Sequence, residues 1–317
     1  MPNKLEQLRA MSTVVADTGD MDTIRAFRPT DATTNPSLIL KAAQMPHYAR
    51  LVEEAIVWGR RQGASVGDVA DRIAVNFGAE ITKIVPGRVS TEVDADLSFD
   101  VDGVVAKAKR FISLYEERGI GRDRILIKLA STWEGVEAAR RLQGEGIDCN
   151  MTLVFSLAQA IAAADAKAFL ISPFVGRILD WNVHAGGGPY DSENDPGVRS
   201  VRTIYAYFKS YGIKTVVMGA SFRNTGEIEA LAGCDRLTIS PHLLEEMSKD
   251  EGELARRLDP ERPGLAPPRV ILDEKRFRWM LNEDQMATEK LSDGIRLFAH
   301  DLTALRTMVE QRLQAAA

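Results

Sequence analysis

Lys128 stands in the middle of "ILIKLA", residues 125–130, with apolar neighbours on both sides. A strand lysine ordinarily lies at a solvent-facing edge, its stem over apolar surface and its ammonium in water. A run that is apolar on both faces belongs instead to a parallel strand covered by helices, where no wet face exists. A lysine kept there suits nucleophilic chemistry. A neutral amine adds to a carbonyl carbon and yields an iminium, an electron sink for breaking the adjacent carbon–carbon bond. Only about one ordinary lysine in a few thousand is neutral at pH 7, so such chemistry depends on desolvation or nearby cations. The step also needs a base for a hydroxyl proton and an acid that expels water.

Groups of suitable type recur at the ends of other β-like runs. Asp17 ends "TVVAD" (13–17), and Thr33, Thr34 and Asn35 close the run that starts at Asp31. Glu92 lies in "GRVSTEV" (87–93), while Asn150 and Thr152, two apart and so on one strand face, lie in "CNMTLVF" (149–155). Ser172 sits in "AFLISPF" (168–174) with Arg177 in the next turn, and Ser221 and Arg223 follow "TVVMG". Any one of these could simply cap a helix. Arriving together at one end of one barrel, they would bring a lysine, two carboxylates and two arginines into one cavity. Leu126, Lys128 and Ala130 share strand parity, which aims the lysine inward.

The elements that must position these groups are legible as alternating runs. Eight β-like runs (13–17, 31–34, 87–93, 125–130, 149–155, 168–174, 215–221 and 236–240) are separated by helical patterns at 37–60, 65–84, 101–118, 133–145, 156–166, 198–211 and 224–232. Such alternation implies a parallel sheet with right-handed crossovers, and eight units favour a closed (β/α)8 TIM barrel. The open doubly wound alternative lacks its Gly-rich phosphate fingerprint, since "ADTGD" is not one. Barrel enzymes carry their chemistry at the C-terminal strand ends, where these polar residues lie. One barrel domain over 1–317 is expected, with a helical C-terminal extension at about 270–317 after the proline-rich connector 259–269. Leu291, Ile295, Phe298, Leu302, Leu305, Val309 and Leu313 form a narrow stripe that either docks on its own barrel or contacts a second subunit. "HAGGGPYDSENDPG" (184–197) reads as a surface loop and "KAKR" (107–110) as a solvated helix face.

Composition narrows the rest. A net charge of −5 argues against a nucleic-acid or anionic-membrane surface. The start "MPNKLEQLRAMS" lacks an apolar signal core, and the apolar stretch 151–164 is too short to span a bilayer. Two cysteines make no C-x-x-C and no framework, which fits a reducing cytoplasm. The four histidines are scattered without an H-E-x-x-H pattern, so no metal site is expected. No G-x-S-x-G elbow or P-loop occurs.

The motifs "VVADTGD" (14–20), "DATTNPSLIL" (31–40), "VPGRVSTEVDA" (85–95), "ILIKLASTWEG" (125–135), "ISPFVGRILDW" (171–181) and "VVMGASFRN" (216–224) closely resemble the transaldolase family over nearly the whole chain. The resemblance implies a barrel circularly permuted relative to other class I aldolases and a dihydroxyacetone transfer between sugar phosphates in the pentose phosphate pathway. It implies Lys128 as the Schiff-base nucleophile, Asp17 as the base at the cleaved bond, and Glu92 as acid/base through a water that Thr152 helps hold. Asn35, Asn150 and Ser172, with Thr33 beside them, would bind the dihydroxyacetone hydroxyls, and Phe174 would wall the site. Arg177, Ser221 and Arg223 would bind phosphate. No cofactor is implied, and a cytoplasmic homodimer is expected. The alternatives are a fructose 6-phosphate aldolase, whose known examples are shorter, and a non-catalytic sugar-phosphate-binding protein.

Overall fold

Residues 2–315 are described by a computed structural model. Eight parallel strands close in sequence order into a barrel: β1 Thr13–Asp17, β2 Asp31–Thr33, β3 Val89–Glu92, β4 Ile125–Ala130, β5 Cys149–Val154, β6 Leu170–Pro173, β7 Val216–Gly219 and β8 Arg236–Ile239. The (β/α)8 TIM barrel expected from the alternating runs is the fold observed. The strands are shorter than several of the apolar runs because the outer residues of those runs turn into loops.

Inside the barrel, Val15, Leu126, Leu170 and Met218 form a separate apolar cluster, the layer that plugs its lower half. Below them the guanidiniums of Arg88 and Arg236 stack on Phe169 and pair with Asp148 and Asp31. Inward-facing positions one layer higher are polar, and this layer becomes the site.

The pattern 37–60 is two helices, not one: Pro36–Ala43 and Ala49–Gln62, separated by a 3-10 turn at Pro46–Tyr48. Pro46 forces Met45 out of the helical region (ψ 125°), which ends the first helix there. "KAKR" is only partly a wet face. Lys107 Nζ lies 2.9 Å from Asp71 and 3.0 Å from Asp94, both buried, and Arg110 Nε lies 3.0 Å from Asp71. Burial of those two carboxylates is what draws the cations inward.

After β8 comes a helix at Pro241–Lys249, and from there the chain runs irregularly to a helix at Glu274–Glu283 and then the long helix Gln285–Gln314. The latter crosses the C-terminal mouth of the barrel, touching Pro36–Ala43, Val66–Thr82, Val175–His184 and the end of β5. Leu291, Ile295, Phe298, Leu302, Leu305 and Val309 are buried beneath it, and Arg306 clamps it at 2.6 Å to Asp94. The stripe therefore docks on its own barrel and is not available as a subunit contact. Segment 184–197 is largely exposed, as expected of a surface loop. No helix among the described residues is long and apolar enough to cross a membrane.

Candidate active site

Lys128 is 3% exposed in the centre of β4. It is in register with Glu92 on one side and Asn150 on the other, so three inward polar groups sit at one level. Its Nζ lies 3.0 Å from Glu92 Oε2 and 3.4 Å from the Thr34 carbonyl. Burial pushes the Glu92 carboxyl above its ordinary range, and the neighbouring Lys128 ammonium opposes that shift.

Asp17, at the end of β1, keeps one edge open to a cavity lined by Thr33, Asn35, Lys128, Ser172, Phe174, Arg177, Ser221, Thr238 and Phe298. Its Oδ1 accepts from Thr33 Oγ1 at 2.8 Å, and Thr33 Oγ1 meets Thr238 Oγ1 at 2.6 Å. This hydroxyl relay fixes the carboxylate's orientation. Burial raises the Asp17 carboxyl too, against the pull of Lys128, the Thr33 hydrogen bond and Arg177.

A second chain runs under the opposite wall. Ser172 Oγ donates to Asn150 Oδ1 at 2.7 Å, and Asn150 Nδ2 donates to Ser90 Oγ at 3.1 Å. Asn35 serves two purposes at once: its Oδ1 caps the helix Pro36–Ala43 by accepting from Leu38 N at 2.9 Å, while the residue lines the cavity. Thr152 Oγ1 is fully buried without a partner, and the rarity of such atoms marks the position. Directly after it, Leu153 adopts a left-handed φ of 56° within a register shift between β5 and β6. Such irregularities next to a site re-aim side chains.

At the mouth, Arg177 is half-buried. Its guanidinium lies 5.0 Å from the Phe174 ring centroid and 5.5 Å from that of Phe298. Among the described residues it has no ion-pair or hydrogen-bond partner. Arg223 is engaged: its Nε and Nη2 contact Asp180 at 3.1 and 2.7 Å, and Nη1 donates to the Ser221 carbonyl at 3.1 Å. The Arg223 backbone N–H donates to Glu227 Oε2 at 2.6 Å, holding the loop. Gly176 makes this corner possible, because a Cβ there would lie 2.5 Å from the Ser221 carbonyl oxygen.

A family model described as Transaldolase/Fructose-6-phosphate aldolase matches residues 14–309. A protein of Agrobacterium fabrum named Transaldolase is 64% identical over 321 residues, covering all of both chains. One of Rhizobium etli, also so named, is 63% identical with the same coverage. A Sus scrofa relative with that name is 58% identical over 99% of this chain and 95% of its own.

The chain belongs to the transaldolase/fructose-6-phosphate aldolase family.

For this family member the barrel brings nearly every residue singled out in the sequence to one mouth: Asp17, Thr33, Asn35, Lys128, Ser172, Phe174, Arg177 and Ser221 line one cavity. Glu92 touches Lys128, and Arg223 donates to Ser221. Asn150 and Thr152 lie behind that wall, fully buried. Sequence reasoning passed over Thr238, Ser90, Asp180, Glu227 and Phe298. Thr238 was within reach, since it has the inward parity of its strand. Phe298 carried no such signal, because it is an apolar helix residue among others of its kind.

Proposed function

We propose that this protein is a transaldolase that works through a Schiff base on Lys128. The observation that carries the reading is the buried Lys128 amine set 3.0 Å from Glu92 and lining the cavity at the barrel mouth. The Lys128 amine adds to the ketone carbon of fructose 6-phosphate or sedoheptulose 7-phosphate. Glu92 handles the amine and carbinolamine protons through a water that Thr152 Oγ1 helps hold, and water leaves to give the iminium. Asp17 then takes the proton of the hydroxyl on the far carbon of the scissile bond. That oxygen's electrons form the aldehyde carbonyl, the carbon–carbon pair moves into the iminium, and the enamine of dihydroxyacetone remains on Lys128. An incoming aldose phosphate reverses these steps. Asn35 and Ser172 hold the dihydroxyacetone hydroxyls, with Asn150 and Thr33 fixing their neighbours and Phe174 as a wall. Arg177, Ser221 and Arg223 take the phosphate. The lysine is itself the electron sink, so the mechanism calls on no cofactor.

The full-length relatives named Transaldolase support transfer over the aldolase alternative. With fructose 6-phosphate alone, the enamine should persist and little dihydroxyacetone should appear. Adding erythrose 4-phosphate should start turnover to sedoheptulose 7-phosphate and glyceraldehyde 3-phosphate. Rapid dihydroxyacetone release without any acceptor would move the assignment to an aldolase.

The arginines give a separate test. A charge-assisted hydrogen bond contributes roughly 1.5–3 kcal/mol, and about 1.4 kcal/mol is a decade of affinity. Arg177→Ala and Arg223→Ala should each lower kcat/KM for phosphorylated donors at least about tenfold and leave unphosphorylated fructose little changed. Arg177 should show the larger loss, because Arg223 must share its guanidinium with Asp180. Lysine at either position should restore only part, since an ammonium lacks the planar fork. Equal losses for both donors would mean that these residues support the fold instead.

The proposal includes a cytoplasmic homodimer. Both cysteines are free and buried, so no oxidising compartment is required. The dimer contact must lie away from the C-terminal stripe.

A further inference from the structure

Phe298 is supplied by the helix Gln285–Gln314, far along the chain from every other group at the mouth. It is 1% exposed and lines the cavity. Its ring centroid lies 5.9 Å from Lys128 Nζ and 5.5 Å from the Arg177 guanidinium, whose other neighbour is the Phe174 ring. The helix can come this close because residue 294 is glycine: a Cβ there would lie 2.6 Å from Leu153 Cδ2 and 3.4 Å from Arg177 Nη1. Leu153, Phe155, Phe174, Ile178, Leu291, Ile295 and Phe298 form an apolar cluster of their own, distinct from the main core. The mouth thus has an aromatic roof, and the free guanidinium is held inside it.

An enamine on Lys128 has two fates. It can add to an acceptor aldehyde, forming a carbon–carbon bond. Alternatively, its carbon takes a proton, water adds to the resulting iminium carbon, and the amine leaves, releasing dihydroxyacetone. Both paths end with water adding to an iminium and freeing the amine. Only the second needs a proton on the enamine carbon before an acceptor is seated, and water is the carrier of that proton. A ring face offers water no hydrogen-bond partner, whereas the acceptor brings a phosphate that Arg177 can grip. We propose that Phe298 is a specificity-determining residue that biases the lysine-bound intermediate toward transfer and away from hydrolytic release, by roofing Lys128 and seating Arg177. This rests on the Schiff-base reading above.

The test compares wild type, Phe298→Ala, Phe298→Leu and Val309→Ala. Val309 is fully buried on the same helix but belongs to the main core, away from the cavity. Each protein receives fructose 6-phosphate with and without erythrose 4-phosphate, and released dihydroxyacetone is measured against sedoheptulose 7-phosphate, the transfer product. Borohydride trapping in parallel maps the adduct. Phe298→Ala should raise the release-to-transfer ratio at least tenfold while still trapping on Lys128. Phe298→Leu should fall between it and wild type, and Val309→Ala should match wild type. An unchanged ratio in the Phe298 variants would overturn the inference, and so would an equal rise in Val309→Ala, which would indicate general loosening. If Phe298→Ala does not fold, Phe298→Leu decides. A wild-type protein that traps elsewhere than Lys128 would instead remove the Schiff-base reading beneath it.

Discussion

Lys128→Arg is expected to abolish turnover, with at least the loss associated with removing a covalent nucleophile, several orders of magnitude in kcat/KM. A guanidinium stays protonated at any accessible pH and cannot add to a carbonyl. It keeps a positive charge next to Glu92, so the buried carboxylate is not stranded and the fold should survive. Borohydride reduction of wild type in the presence of fructose 6-phosphate should fix a dihydroxyacetone-derived mass on the peptide containing Lys128, and none on the arginine variant. Lys128→Met is the informative contrast. It removes the charge as well, so Glu92 loses its ion-pair partner at 3.0 Å and stability should fall along with activity. An adduct on any other lysine, or undiminished turnover in Lys128→Arg, would end the assignment.

Asp17→Asn is expected to slow carbon–carbon cleavage by about 10²–10⁴-fold, the usual contribution of a positioned general base. Covalent capture on Lys128 should persist, because Asp17 acts after the iminium has formed. Burst trapping without product formation is the expected signature, and equal loss of trapping and turnover would place Asp17 earlier in the sequence. The pH dependence follows from the direction of its shift. Burial raises the Asp17 carboxyl, and only the carboxylate can take the proton. Activity should therefore fall on the acid side at a pH above the ordinary aspartate value of about 3.9. The sign for stability is opposite. A carboxyl whose pKa is raised by folding binds its proton more tightly in the folded chain. That advantage is present below the unfolded value and is lost as pH rises through the folded one. At neutral pH the buried charge is thus a burden on the fold, and Asp17→Asn should unfold at a temperature equal to or above wild type. A clear drop in Tm would mean that the Thr238–Thr33–Asp17 relay supports the barrel more than the charge strains it.

Much of this architecture is local enough to be read from order alone. β1 and β4 have the bounds of their apolar runs, and the inward aim of Lys128 follows from the two-residue period of a strand. Once eight parallel strands close in order, their C-terminal ends must meet, which is why Asp17, Thr33, Lys128 and Ser172 could be grouped before any distance was known. The break at Pro46 was equally local, because proline restricts the residue before it whatever the tertiary context.

Other features depend on what packs against what. The stripe from Leu291 to Val309 fits a dimer seam as well as it fits a roof, because periodicity specifies an apolar face and not its partner. The barrel mouth decided between them by offering Leu153, Phe174 and Ile178 as a surface. Asp180 and Glu227 carried no mark of a role in the sequence until the close approach at Gly176 set one on the Arg223 guanidinium and the other on its backbone N–H. Phe298 owes its place over Lys128 to a helix that begins 157 residues later in the chain, at Gln285. The sequence by itself determined the barrel, the inward lysine and the polar strand ends, since these follow from the period and polarity of short segments. The roof over the site, the engaged state of Arg223 and the free state of Arg177 were decided only by tertiary structure, because they depend on approach distances between segments that no local pattern encodes.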